Sequence, residues 1–177
     1  PRSPNCGACP LTDLCLANRR GLQEALPVTA RRAPPPHRDG LAALILDRQG
    51  RVLVVQRPPR GLLGGLWKLP GGDRRPDETF EGALKRTVRE ELGIRIEAGE
   101  ELTSLHHTYT HFRMTLHAFS CRRRRGELRA LGCESFRWAT PRVLQRLPFS
   151  RAYRKMVESL SFPLAPLHRG PLLASRG

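Results

Sequence analysis

No run of this 177-residue chain is apolar for long enough to cross a bilayer, and no secretory-leader pattern opens it. Membrane-spanning and secreted classes are therefore not expected. Acidic residues are the second shortage: 16 Asp and Glu stand against 31 Lys and Arg, a formal net charge of +15. A surplus of that size attracts polyanions, nucleic acid first. A GC-rich genome would raise the share of arginine, but it does not account for so few acids beside so many bases. Hydrophobic residues make up 39% of the chain, enough for one core and not for two. The length suits one domain with flanking pieces. The first residue is Pro1 rather than methionine, so the sequence reads as a fragment. Five cysteines are present: Cys6, Cys9, Cys15, Cys121 and Cys133. Without a leader a reducing compartment is expected, and disulfides are not.

Three regions separate along the chain. Residues 1–19 hold the clustered cysteines. Residues 20–38, with "ALPVTARRAPPPHR", read as an extended linker. Residues 39–162 carry the periodic patterns of a folded domain, and residues 163–177 read as a disordered tail. "LAALILD", "RQG" and "RVLVVQR" spell strand, turn, strand. "LWKLPGG" is a short extended piece leading to a helix. Asp77 is the expected cap, Glu78 falls in the first turn, and Gly93 ends the helix. Phe80, Leu84, Val88 and Leu92 form its buried stripe. "LTSLHHTYTH", "RMTLHAFSC" and "CESFRWAT" read as strands. Met114, Leu116 and Ala118 alternate with Arg113, Thr115 and His117, as in a half-buried strand. "PRVLQRL" and "SRAYRKMVESL" read as helices. Arg122–Arg125 are expected in a solvated hairpin loop, which would also suit phosphate contact.

From Gly72 the chain runs "GDRRPDETFEGALKRTVREELGI". On a helix, positions 87, 90 and 91 are i, i+3 and i+4, so their side chains share a face. The segment resembles the Nudix box at Gly72, Glu78, Arg86, Val88, Glu90, Glu91, Gly93 and Ile94. Thr87 stands where that pattern has Glu. The resemblance implies an α+β fold: a Nudix-like mixed β-sheet flanked by helices. It also implies carboxylates that hold Mg²⁺ against a diphosphate, so that the ion polarises phosphorus and activates water. Thr87 removes one of them. Two outcomes stay open. Glu78, Arg86, Glu90 and Glu91 form the catalytic set of a Mg²⁺-dependent pyrophosphohydrolase of oxidised nucleoside triphosphates such as 8-oxo-dGTP. Alternatively, Arg86, Glu90 and Glu91 brace the loop–helix junction, with Arg86 paired to Glu90 and Glu91 requiring a partner beside the apolar stripe.

Cys6-x2-Cys9-x5-Cys15 is the second motif. By itself it could be part of a zinc site or three unrelated thiols. It also resembles the last three ligands of Cys-x6-Cys-x2-Cys-x5-Cys, which holds a [4Fe–4S] cluster in adenine DNA glycosylases of the MutY type. The first ligand would lie two positions before Pro1. "QRPPRGLLGGLWKLPGG" is similar to the Arg-Pro and double Gly-Leu stretch of that family's C-terminal domain. The resemblance extends over about residues 1–160. It implies the C-terminal portion of an enzyme that removes adenine opposite 8-oxoguanine, the glycosylase catalytic residues lying outside this chain. The implied partners are double-stranded DNA with 8-oxoguanine opposite adenine and an N-terminal glycosylase domain. A membrane partner is not implied. A monomer is expected, in the cytoplasm of a bacterium and associated with the nucleoid.

"HHTYTHFRM", His106–Met114, has three readings. Three histidines could bind metal, although a strand sends His106 and His107 to opposite faces. The segment could be an ordinary polar hairpin. In the glycosylase family a Phe-Ser-His turn touches the lesion, and Tyr109, Thr110 and His111 stand at the matching positions. A hydroxyl can accept from the N7–H of 8-oxoguanine, and an aromatic ring can wedge beside bases or stack on them. Arg113 and His106 would then approach the DNA backbone. A generic basic nucleic-acid binder is a third functional class.

Overall fold

The computed structural model describes residues 4–26 and 35–160. The chain divides into two compact units, Pro1–Pro34 and Pro35–Gly177. The tail expected at 163–177 lies outside the described residues, as do residues 27–34 of the expected linker.

The first unit is built of single turns. Two 3-10 segments, Cys6–Ala8 and Thr12–Leu14, lead into the one-turn helix α1 (Leu16–Arg19). The Thr12 hydroxyl donates to the carbonyls of Cys6 and Cys9 and holds the first two cysteine turns together.

The second unit has six strands: β1 (His37–Ile45), β2 (Val52–Gln56), β3 (Trp67–Lys68), β4 (Arg95–Thr108), β5 (Arg113–Arg125) and β6 (Ser135–Ala139). They form two three-stranded sheets, β1-β5-β4 and β3-β2-β6. β1 runs parallel to β5, while β4 is antiparallel to it. The Leu46–Val52 bridge joins the two sheets. Three helices complete the unit: α2 (Phe80–Leu92), α3 (Pro141–Arg146) and α4 (Arg151–Ser159).

The strands explain the apolar runs. Leu41, Ala43, Ile45, Leu53 and Val55 face the cluster that contains Leu84, Val88 and Leu92 of α2. Ala42, Leu44, Val52 and Val54 face the opposite cluster, with Leu144 of α3 and Met156 of α4. With both faces covered, "LAALI" and "VLVV" show no alternation of polar and apolar residues. β5 lies between β1 and β4, and its middle residues Leu116, Ala118 and Phe119 are buried while its ends are exposed. Thr115, expected on a solvated face, is buried.

Two further local expectations are corrected. The cap of α2 is Thr79, whose hydroxyl accepts from Gly82 N at 3.1 Å, not Asp77. Turn residues extend the chain to Glu78, so the helix begins two residues later than expected. Arg122–Arg125 are not a loop. They complete β5, paired with Arg95–Glu97 of β4, and Arg124 pairs with Glu97. Gly93 ends α2 as expected, in the left-handed region at φ 71°.

Candidate functional site

The loop from Leu69 to Gly72 is laid along β1. Ala43 N donates to Pro70 O at 2.7 Å and Leu41 N to Gly72 O at 2.9 Å. Gly71 sits there at φ 137°, and a Cβ on it would come 2.1 Å from the Leu41 carbonyl oxygen. Only glycine fits this approach. The loop thereby faces the C-terminal half of α2.

Three positions of that half were expected to converge, and Thr87, Glu90 and Glu91 do line one pocket with Gly71, Gly72 and Asp73, but each is engaged differently. Thr87 is 8% exposed and its hydroxyl donates to the Leu84 carbonyl at 3.2 Å. Glu90 is exposed and accepts from Arg86 at 3.0 Å. Glu91 is 8% exposed and points into the protein. Its carboxylate accepts from Gly71 N at 3.1 Å and pairs with the Lys68 ammonium at 2.7 Å. Lys68, 6% exposed, also donates to Gly71 O at 2.6 Å. Burial pushes the Lys68 ammonium below its ordinary pKa, and Glu91 opposes that shift.

Arg86 organises the other side. It donates to Glu78 at 2.5 and 2.7 Å and to the Asp73 carbonyl at 3.2 Å. That guanidinium holds the Glu78 carboxyl at about 2. Glu78 and Glu90 are thus engaged by Arg86, and Glu91 by Lys68. The donor set does not fit the Mg²⁺ that the box implies. A hard dication needs several oxygens available at once, and these carboxylates are shared between two resident cations. Lys68 was not singled out from the sequence. The available signal was a charged residue between the apolar Trp67 and Leu69, in a strand with no obvious solvent face.

The 106–114 segment closes as a hairpin tip, with Tyr109 N donating to Phe112 O at 2.8 Å. Thr110 and His111 are exposed at the apex, and Arg113 is exposed at the start of β5. Tyr109 is half-buried beside the apex. Its ring stacks on Phe112 at 4.6 Å, and the edge of His107 meets it at 4.5 Å. Burial raises the Tyr109 phenol, against the pull of Arg57 and a hydrogen bond with Ser150. Between the tip and the box lies a cavity of about 380 Å³, lined among others by Tyr109, Phe112, Arg38, Arg57, Lys68 and Tyr153. Arg38 lies over the Phe112 ring at 4.9 Å.

The histidines of the segment do not gather. His106 bonds the Thr115 hydroxyl at 2.9 Å, away from the apex. Thr115 is also bonded by His37 at 2.9 Å. On the same sheet His117 pairs with Glu101 at 2.7 Å and lies 3.7 Å from Asp39, which Arg74 holds at 2.7 Å. Sequence reasoning missed this network because its members come from three strands and a loop. Among the described residues, no three or more His, Cys, Asp or Glu side chains are grouped so as to hold a metal ion. Cys6, Cys9 and Cys15 therefore have the soft donors and the spacing for iron but are not drawn onto one centre. None of the five cysteines is in a disulfide. Burial pushes the Cys121 thiol up to about 12.

Known proteins match both parts of the chain. Residues 1–15 match the iron–sulfur binding domain of endonuclease III. CTP pyrophosphohydrolase from Escherichia coli is 33% identical over 71% of this chain and 82% of its own length. Human adenine DNA glycosylase is 30% identical over 66% of this chain, which spans only 23% of that protein. The solution structure of the E. coli ORF135 protein superposes with a TM-score of 0.61 at 32% identity, over 71% of this chain and 89% of that one. Residues 41–159 match the NUDIX domain from the first buried residues of β1 to the end of α4, so the chain belongs to the Nudix family.

Proposed function

We propose that this chain is the lesion-recognition portion of an adenine DNA glycosylase, acting on DNA that carries 8-oxoguanine opposite adenine. The observation that carries the reading is the combination of motifs. An iron–sulfur motif of a DNA-repair enzyme and a Nudix domain share one chain, and the box of that domain has Thr87 for a carboxylate. Thr110 and His111, exposed side by side, present a hydroxyl and an imidazole to a base edge. Arg113 and Arg38, both exposed, suit the adjoining phosphates. Cys6, Cys9 and Cys15 are three of the ligands of a [4Fe–4S] cluster, completed by an upstream cysteine. Adenine removal itself belongs to a glycosylase domain outside this chain.

The test compares affinity for duplexes with 8-oxoguanine and with guanine opposite adenine, at several salt concentrations. Thr110→Ala with His111→Ala should narrow the gap between the two duplexes and leave the salt-sensitive, sequence-independent binding in place. An unchanged gap refutes the assignment of these residues. Equal affinity of the unaltered chain for both duplexes refutes this reading and favours a generic basic binder.

A second reading is a Nudix pyrophosphohydrolase of nucleoside triphosphates, 8-oxo-dGTP among them. Similarity alone favours it over the first: the pyrophosphohydrolase relative is matched over a larger share of both chains and at higher identity than the glycosylase. Mg²⁺-dependent release of pyrophosphate from 8-oxo-dGTP, abolished by Glu91→Gln, would establish it and displace the first reading.

A further inference from the structure

The charges around the box are largely offset without a metal. Glu78, Glu90 and Glu91 supply three carboxylates, and Arg86 and Lys68 supply two cations in direct contact with them. One net negative charge remains, too little to hold a dication firmly. The position of Lys68 matters more than the tally. Its ammonium lies between the Glu91 carboxylate, at 2.7 Å, and the Gly71 carbonyl, at 2.6 Å, and is almost fully buried. These oxygens belong to α2 and to the glycine loop, so the ammonium ties the two elements together. A divalent ion placed on Glu91 would face a buried ammonium at close range, where repulsion is poorly screened. Arg57, lining the same cavity, adds to that positive field.

We propose that Lys68 is a resident cation that occupies the metal position of this box, binding the glycine loop to α2 and excluding divalent ions. The inference rests on the non-hydrolytic reading given above. Lys68 is a positioning residue in this account: it replaces the metal's structural role and supplies none of its chemistry. Two features of the chain are then linked. Thr87 removes a carboxylate that would bind the ion, and Lys68 supplies the counter-charge that Glu91 would otherwise lack.

The experiment is a Mn²⁺ titration of the whole chain, read by the electron paramagnetic resonance signal of unbound Mn²⁺ and by thermal melting. The unaltered chain should show no Mn²⁺ uptake that Glu91→Gln removes. Lys68→Met with Thr87→Glu should bind one Mn²⁺ at least about tenfold more tightly. Its melting temperature should rise with Mn²⁺, and both effects should vanish when Glu91→Gln is added. Thr87→Glu alone retains the ammonium and should stay close to the unaltered chain. Glu91-dependent Mn²⁺ uptake by the unaltered chain overturns the proposal. So does uptake by Thr87→Glu alone, or a cooperatively melting double variant that takes up none. If the double variant does not melt cooperatively, the unaltered chain and Thr87→Glu decide the matter. A chain that binds Mn²⁺ at Glu91 yet still discriminates 8-oxoguanine loses the Lys68 inference alone. A chain that fails to discriminate loses the functional reading, whatever its Mn²⁺ behaviour.

Discussion

Replacing Lys68 by Met should be among the most damaging single changes in the Nudix unit. Lys68 and Glu91 are 6% and 8% exposed. Removing the ammonium leaves the Glu91 carboxylate buried with Gly71 N, at 3.1 Å, as its remaining described hydrogen-bond donor. Breaking a buried pair from one side costs about 3–5 kcal/mol, because the surviving charge is uncompensated. In a domain of this size that corresponds to a fall in melting temperature of roughly 10–20 °C. Removing both charges is a different perturbation. Lys68→Met with Glu91→Met replaces the pair by apolar groups, and such replacements are often neutral. The double variant should therefore lie within about 2 kcal/mol of the unaltered chain and well above the single one. Urea unfolding followed by tryptophan fluorescence is a suitable assay, since buried Trp67 adjoins Lys68 in β3. The reasoning fails if Lys68→Met costs under about 1 kcal/mol. It also fails if the double variant is as unstable as the single one, since the cost would then come from lost packing and not from a stranded charge.

Two other outcomes are expected. The Glu78 carboxyl sits at about 2 in the folded chain against an ordinary 4.5, because Arg86 donates to it. A depressed carboxyl stabilises the fold above its unfolded value, and the contribution is lost as pH falls from about 4.5 towards about 2. Melting temperatures measured across that window should fall less steeply in Arg86→Met than in the unaltered chain, and parallel curves would refute the coupling. Gly71→Ala should destabilise by more than about 2 kcal/mol in urea unfolding, because its Cβ meets the Leu41 carbonyl. Gly50→Ala, at φ 72° with open space around it, should cost only about 1 kcal/mol; equal costs would mean that backbone strain, and not the close approach, governs Gly71.

Features written in consecutive residues were legible before the fold was known. The stripe Phe80, Leu84, Val88 and Leu92, the stop at Gly93 and the box spacing all depend on one helix's own periodicity. The cysteine spacing is equally local, and so is the turn that exposes Thr110 and His111. Even the absence of polar alternation in "LAALI" carried information, for a strand covered on both faces has no reason to alternate.

What the sequence determined by itself was therefore the Nudix scaffold, its missing carboxylate at Thr87 and its positive charge. Only the tertiary structure decided which partner each charge received. Lys68 and Glu91 are 23 residues apart and meet because the β1-anchored loop returns over α2. Arg122–Arg125 look like a solvated loop until β4 pairs with them. His37, Asp39 and His117 become neighbours through the parallel pairing of β1 with β5. Long-range pairings like these are set by sheet register and by the approach of backbone to backbone. No window of local sequence encodes them, because the groups that meet there belong to segments whose periodicities are independent of one another.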